Sequence, residues 1–496
     1  MDRNNVYIFN SDYRFRNDTD RIVMYSGSTV HKGSTKDWTG FIHPIQAMLL
    51  GLFTDGRTFV EHCEDIASHF KISQQQAEEI MSQYVMNAEC VYTKYNGIEV
   101  EFPQNVLIPL QIGEELPEYT FGSDDLQCQT VDLNKDRTHK APLSALFILN
   151  NHCLTKCVYC YADRKTHCKE LPTERVLAII DEAAKLKFTN IDIVGGEVFL
   201  RKDWDRILRH LVDCGLSPLY ISTKMPVTRG IIERLLHTGY DNVVQISLDS
   251  MNVHTLSELI GCQDGYLDKL LAGVKLLQEN GFKIQFDTIL TNLNCSEEEL
   301  TALYEYIKRV CNLEYWEIRV PEISLYSEET YKRAVFDVLE LEKSCTFVRR
   351  LRDNANIRIV LSDEVLRSRH RSVAIGNGHF CHGNCGMLYN RMIILPDGKV
   401  TCCEQLYWHP DFIIGDLKTQ TIEEVWQSDK AKQLFCLRYG AVGGGVCAGC
   451  KASGECTRSH RRCVVSTMKA YGLSNWDFPD PDCVCAPESD NLIYIK

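Results

Sequence analysis

Residues 150–164 read NNHCLTKCVYCYADR and follow the apolar run Ala145–Leu149. Within them Cys153, Cys157 and Cys160 stand in C-x3-C-x2-C spacing, so one tight loop carries three thiolates. Three thiolates can hold three irons of a [4Fe–4S] cube, whereas a cluster that only carries electrons is normally held by four cysteines. The remaining iron is then open to an exogenous ligand, which points to chemistry at that iron. A zinc site is the competing reading, because C-x2-C pairs often bind zinc. The x3 spacing and the missing fourth ligand weigh against it.

Around this loop, residues 143–322 alternate strand-like and helix-like text. Ala145–Leu149, Ile191–Val194, Leu219–Thr223, Val243–Leu248, Ile284–Leu290 and Tyr315–Val320 read as strands. Thr173–Leu186, Trp204–Cys214, Arg229–Thr238, Leu267–Asn280 and Glu297–Val310 read as helices. Six β/α repeats imply an α/β fold with a parallel sheet, and a partial (β/α)6 TIM-like barrel is its simplest closure. Ligands on such sheets bind at the carboxyl ends of the strands, where the cysteine loop falls. Gly195-Gly196-Glu197 ends the second strand, where residues without side chains let a backbone approach a ligand and Glu197 can accept from an ammonium. Ser222 and Ser247 close the third and fourth strands. A serine there is, by itself, an ordinary turn or cap residue.

The chain has 496 residues, so two to four domains are expected. Its net charge of −13 argues against a nucleic-acid or membrane-surface binder. No long uninterrupted apolar run predicts a transmembrane helix, and the polar start MDRNNVYIFNSDYRFRNDTDR lacks a signal-peptide core. A cytoplasmic location follows as the expectation. In a reducing compartment, 23 cysteines read as metal ligands rather than disulfides. Nearly half of them crowd the last quarter.

Residues 1–103 suggest a winged-helix-like module. Val6–Phe9, Tyr13–Arg16 and Arg21–Tyr25 look like strands; Pro44–Leu52, Thr58–Phe70 and Gln74–Val85 show helical periodicity. Val91–Tyr95 and Ile98–Phe102 around Asn96-Gly97 give a hairpin. Residues 104–142 read as a linker, 323–375 as a helical bridge and 376–496 as a cysteine-rich domain.

The cysteine loop and its strand-end partners resemble the radical SAM superfamily, whose open iron binds S-adenosylmethionine. Tyr159 stands where that family has an aromatic. The resemblance implies that Gly195, Gly196 and Glu197 bind the methionine amino group, and Ser222 and Ser247 the ribose and methionine carboxylate. Relatives commonly add a carboxylate-binding arginine after the fourth strand; here the text is HTLSELIGCQDGY, without one.

The C-terminal pattern Cys385-x12-Gly398-x4-Cys403, Cys447-x2-Cys450-x5-Cys456, Cys463 and Cys483 resembles the SPASM domain, against a competing pair of zinc knuckles. That likeness implies two auxiliary [4Fe–4S] clusters, three clusters in all. The first would take Cys381, Cys385, Cys403 and Cys463, the second Cys447, Cys450, Cys456 and Cys483. The family's C-x3-C is C-x6-C between Cys456 and Cys463, so Cys463 is either a ligand or leaves an open iron. Cys402 beside Cys403 and Cys485 beside Cys483 keep those choices open. Glu404 matches an acid that acts as a base in related sulfatase-maturing enzymes.

The N-terminal module, whose third helix carries Glu78 and Glu79 and no lysine or arginine, resembles the PqqD-like recognition element of peptide-maturing enzymes. That resemblance implies capture of a precursor's leader by strand addition to a sheet edge, for which Arg21–Tyr25 is a candidate. Together these likenesses imply a radical SAM maturase of a ribosomally made precursor peptide, fed by an electron donor such as flavodoxin or ferredoxin. A Cys-derived thioether is the expected product, a carbon–carbon or other side-chain cross-link the alternative. Oxidation of a folded protein, as by sulfatase maturases, and a non-enzymatic metal scaffold are the remaining readings.

Overall fold

The computed structural model describes residues 2–26, 38–111, 113–134, 137–321, 324–326, 338–362, 386–439, 447, 450, 462–481, 483, 486 and 487. The chain divides into two compact units, Met1–Ala141 and Pro142–Lys496.

In the first unit, strands β1 (Tyr7–Phe9), β2 (Tyr13–Asn17), β3 (Ile22–Ser26) and β4 (Thr39–Ile42) precede helices α1 (Pro44–Gly51), α2 (Phe59–Phe70) and α3 (Gln74–Ser82). All three helices open with a reciprocal capping box, His43 with Gln46, Thr58 with Glu61 and Ser73 with Gln76. Each box satisfies N-terminal amides that would otherwise lack partners, which fixes where the helix starts. β5 (Val91–Tyr95) and β6 (Ile98–Phe102) form the expected hairpin. Asn96 and Gly97 at its tip both take positive φ, 48° and 81°, as a type I′ turn requires.

Two expectations change here. The sheet runs β2–β3–β4, so Arg21–Tyr25 lies on the central strand and offers no edge. The described residues between 104 and 141 are packed into this unit rather than forming a free linker. β7 (Leu107–Pro109) pairs with β1, and Val106, Leu107, Leu126 and Leu133 join its core. Tyr119 donates its hydroxyl to the Phe9 carbonyl at 2.6 Å, and Phe121 packs edge-on against Phe9 and Phe15. Fully buried Asp18 closes the segment. It pairs with Arg21 at 3.3 Å and accepts the His139 and Lys140 amides at 2.9 and 3.0 Å. Removing Asp18 would strand the Arg21 charge inside the unit, a loss of about 3–5 kcal/mol.

The second unit opens with β8 (Ser144–Ile148), α4 (Thr173–Lys185), β9 (Asn190–Val194), α5 (Trp204–Asp213), β10 (Tyr220–Thr223), α6 (Arg229–Thr238) and β11 (Val243–Ser247). It continues with α7 (Val253–Ile260), α8 (Tyr266–Glu279), β12 (Lys283–Ile289), α9 (Glu297–Ile307) and β13 (Leu313–Arg319). These strands are parallel wherever they pair: β8 with β9, and β10 through β13 in order. β9 and β10 belong to separate ladders, and side chains bridge the seam. Asp192 accepts the Leu219 amide, and Glu197 accepts from the end of β10. A partial TIM-like barrel results.

Along these strands one set of alternate residues packs under the helices: Ile193, Ile221, Val244, Ile246, Phe286 and Trp316 are all fully buried. The opposite face carries Asp192, Ser222, Gln245, Ser247, Gln285, Asp287, Glu317 and Arg319. It is a polar lumen.

β14 (Ile359–Ser362) extends this sheet beyond β13, within the stretch expected to be a helical bridge. Helix Val338–Asn354 precedes it; residues 322, 323, 327–337 and 363–375 lie outside the described set. In the cysteine-rich region, β15 (Arg391–Ile394), β16 (Lys399–Thr401) and β17 (Ile413–Asp416) form a meander whose β15 pairs in parallel with β8. α4 fastens this region, since Arg175 donates to the Leu417 and Gln420 carbonyls and Glu182 accepts the Ile422 amide. No helix among the described residues is long and apolar enough to cross a membrane.

Candidate active site

The cysteine loop leaves the end of β8 and is held from three sides. Asn150 accepts the Gly196 amide on its carbonyl at 3.0 Å and donates its side-chain amide to the Glu197 carbonyl at 2.8 Å. Asn151 donates to the Asp163 and Thr166 carbonyls, closing the loop's far end. The last-turn carbonyls of α7 accept two of the loop amides, Lys156 to Ile260 at 2.8 Å and Val158 to Leu259 at 2.9 Å. The text HTLSELIGCQDGY, which lacks the expected arginine, thus contributes the helix end that shapes the loop.

Contact with this loop dictates the glycine pair. A Cβ on Gly196 would stand 2.0 Å from the His152 carbonyl oxygen, whereas one on Gly195 would meet Asn150 at 3.1 Å. The Glu197 carboxylate is buried. It accepts Thr223 Oγ1 at 2.9 Å and the amides of Lys224, Met225 and Phe199 at 3.1, 3.2 and 3.3 Å. Burial pushes its carboxyl up, and these four donors oppose that shift. In this state the side chain ties the end of β9 to the end of β10.

Thr155 Oγ1 lies 3.3 Å from Cys157 Sγ and 3.8 Å from Cys153 Sγ, and Cys153 Sγ approaches the Gly196 carbonyl at 3.2 Å. Burial pushes the Cys157 thiol up and the Cys160 thiol to about 11. Among the described residues, only Asp181, His210 and Cys214 bring three Cys, His, Asp or Glu ligand atoms within 4.8 Å of one another. The three loop thiols stand wider apart than a single zinc would gather them.

Tyr159, between the second and third cysteines, is buried and donates its hydroxyl to Asp249 Oδ2. The same oxygen accepts Lys224 Nζ at 3.1 Å, and that ammonium lies 5.4 Å from the Tyr159 ring centroid. Burial opposes the Lys224 charge, but Asp249, then Cys157 and Tyr266, hold its proton more tightly than usual. Neither Lys224 nor Asp249 was singled out from the sequence, although both stand beside noted serines, in ISTK and SLDS. Ser222 and Ser247 end the neighbouring strands β10 and β11, half-buried on the lumen face. The structure therefore gathers Tyr159, Glu197, Ser222 and Ser247 around the strand ends beside the cysteine loop.

The cysteine-rich region reaches the same neighbourhood. Tyr326 donates to the Leu406 carbonyl at 2.6 Å, and Ser324 donates to the carbonyl of Tyr161, the residue after Cys160. The Glu404 carboxylate, with burial behind it, raises the Tyr161 hydroxyl, and it adds to the burial that raises Tyr407 and Tyr220. The carboxylate thus stands within electrostatic reach of the loop and the lumen. Cys402 turns its thiol to the Phe412 carbonyl at 3.5 Å and is 3% exposed, whereas Cys403 is more open.

Cys463 caps helix Val464–Tyr471 by accepting the Ser466 amide on Sγ. Its own amide donates to Asp480 Oδ2, while the Cys483 amide donates to the Asp480 carbonyl, so one residue orients both cysteines. Cys450 donates its amide to the Cys447 carbonyl in a tight turn. Cys381, Cys385, Cys456 and Cys485 lie outside the described residues.

Comparison with known proteins matches residues 147–307 to the radical SAM superfamily and 385–451 to the SPASM iron–sulfur cluster-binding domain. An AdoMet-dependent heme synthase of Methanosarcina barkeri is 25% identical over 66% of this chain and 93% of its own. The mycofactocin maturase MftC of Mycolicibacterium smegmatis is 23% identical over 70% of this chain and 84% of its own. In fold, the crystal structure of Streptococcus suis SuiB bound to precursor peptide SuiA superposes with a TM-score of 0.65. It covers 96% of this chain and 99% of that one at 15% identity. Residues 147–307 are therefore a radical SAM domain and residues 385–451 a SPASM domain, and the protein is a radical SAM enzyme that uses S-adenosylmethionine with a [4Fe–4S] cluster and auxiliary iron–sulfur clusters.

Proposed function

We propose that this enzyme matures a ribosomally made precursor peptide in the cytoplasm, closing a Cys-derived thioether. The observation that carries the reading is the likeness to SuiB. It extends through the N-terminal unit as well as the barrel and SPASM region, and that protein's structure holds its precursor peptide. The similarity to a mycofactocin maturase supports the same substrate class.

Cys153, Cys157 and Cys160 hold the first cluster. Bound there and reduced by a flavodoxin or ferredoxin, it supplies the electron that splits S-adenosylmethionine into methionine and a 5′-deoxyadenosyl radical. Gly195 and Gly196 offer backbone close to that cofactor, and Ser222 and Ser247 offer hydroxyls from the lumen. Lys224 replaces the absent arginine as the cation for the methionine carboxylate. Cys447, Cys450, Cys456 and Cys483 hold one auxiliary cluster; Cys381, Cys385 and Cys403 hold the other, with Cys463 either closing it or capping its helix alone. Glu404 is the base near the lumen.

The N-terminal unit is the PqqD-like leader reader. With β3 central, β4 is an edge strand of its sheet and the candidate place for an added strand. A carbon–carbon cross-link remains the second reading, because similarity to peptide-modifying enzymes does not fix the bond. The test is anaerobic turnover of a Cys-containing precursor encoded beside this chain, followed by thiol alkylation and fragmentation. A thioether consumes one thiol and one carbon-bound hydrogen, so the product cysteine resists alkylation. A cross-linked product whose cysteines all alkylate would establish the carbon–carbon reading instead.

A further inference from the structure

We propose that Asp181, His210 and Cys214 form a three-ligand site for a zinc-like divalent cation on the outer, helical wall of the barrel. His210 lies in the last turn of α5, and Cys214 is the residue that caps it. Their i, i+4 spacing stacks both side chains on one face. Asp181 comes from the neighbouring α4, one turn before its end.

His210 Nε2 stands 2.7 Å from Asp181 Oδ1, and Cys214 Sγ stands 3.9 Å from that oxygen and 3.8 Å from that nitrogen. Metal–ligand lengths of about 2.0–2.3 Å place tetrahedral zinc ligands roughly 3.3–3.6 Å apart. The two sulfur separations exceed this by a few tenths of an ångström. The shorter histidine–carboxylate distance is the hydrogen bond an ion would replace.

Charge and ligand type agree with the geometry. One thiolate and one carboxylate balance a dication beside a neutral imidazole, and the thiolate selects zinc over magnesium or calcium. The C-terminal carbonyls of α5 add negative potential beside it. The Asp181 side chain is 51% exposed and that of His210 29%, so water can fill a fourth position. The C-terminal ends of these helices lead into the starts of β9 and β10, the end of the barrel opposite the cysteine loop. α4 is also the helix that fastens the SPASM region, so the ion would brace that wall without touching the chemistry.

The competing account is a plain His–Asp ion pair beside a capping thiol. Full-length enzyme with its iron–sulfur clusters in place, together with C214S, H210N and D181N, separates the two. After zinc loading and desalting, the wild type should retain one more equivalent than each variant. Iron content and S-adenosylmethionine cleavage should be equal in all four. Cobalt added to the wild type should give the intense visible bands of tetrahedral cobalt–thiolate, absent in C214S. Equal zinc retention in wild type and variants, or cobalt bands that survive C214S, would overturn the proposal.

Discussion

Lys224 Nζ and the Tyr159 hydroxyl meet on one carboxylate oxygen of Asp249. The aromatic inside the cysteine loop and the cation at the end of β10 therefore share an anchor on the segment after β11. If Lys224 serves the methionine carboxylate, K224M should weaken S-adenosylmethionine binding about 10- to 100-fold, the range of a lost charge-assisted hydrogen bond. K224R should keep part of the affinity, and iron content should not change. Equilibrium binding together with 5′-deoxyadenosine yield tests this; unaltered affinity in K224M would remove Lys224 from the cofactor site.

Replacing Cys153, Cys157 and Cys160 together with alanine should abolish 5′-deoxyadenosine formation. Anaerobic reconstitution should lose roughly a third of the iron, because each cluster has its own cysteines. Undiminished deoxyadenosine production would refute the assignment of these thiols.

The two glycines before Glu197 should respond unequally. A Cβ on Gly196 collides with the His152 backbone carbonyl, which cannot move without carrying the cysteine loop, whereas one on Gly195 meets the Asn150 carbonyl and side chain at 3.1 and 3.2 Å, contacts that a shift of a few tenths of an ångström relieves. G196A should cost about 2–3 kcal/mol and displace the first cluster; G195A should cost less than about 1 kcal/mol. Thermal unfolding and iron content compare them directly. Equal behaviour would mean the loop is not held against Gly196 in solution.

Much of this site is legible in the sequence because its signals are local. Three cysteines within one loop, a glycine pair at a strand end and serines at two more strand ends each declare themselves within a few residues. The Lys224–Asp249–Tyr159 anchor does not, since it joins three separate strand ends and exists only once the sheet forms. The same holds for α7, whose text reads as a missing arginine yet supplies the carbonyls that hold the loop. β4 is four residues, TGFI, too short and too glycine-interrupted to show alternation. Residues 104–141 lack any period, and their scattered Val106, Leu107, Tyr119, Phe121 and Leu126 become core only against Phe9 and Phe15. β14 likewise becomes a strand by pairing with β13.

Leader capture can now be tested at a defined edge. Ser26 donates to the Trp38 carbonyl, so the alternation of an antiparallel ladder turns the Gly40 and Ile42 amides toward β3 and those of Thr39 and Phe41 outward. T39P should remove one outward donor while leaving the β3–β4 ladder whole, and so weaken leader binding with little loss of stability. G40P should unfold the sheet. Leader affinity unchanged in T39P would place strand addition elsewhere.

Cys463 separates a closed auxiliary cluster from one with an open iron. Its thiol already caps helix Val464–Tyr471, so replacement by alanine mixes two effects: loss of a ligand and loss of the weak cap that sulfur gives the Ser466 amide. Serine keeps the cap and removes the soft sulfur. If the auxiliary iron is open to a precursor thiolate, combining proximity with deprotonation of the nucleophile, C463S should retain full iron, normal thermal stability and product formation. C403A should lose that cluster under the same conditions, whereas C402A should keep it, because Cys402 is turned to the Phe412 carbonyl. Spectra of the auxiliary clusters should then shift when a Cys-containing precursor binds and stay unchanged with its Cys→Ser form. Iron loss in C463S with no precursor-dependent shift would instead make Cys463 the fourth ligand of a cluster that only accepts electrons, and the extra residues before it a longer loop.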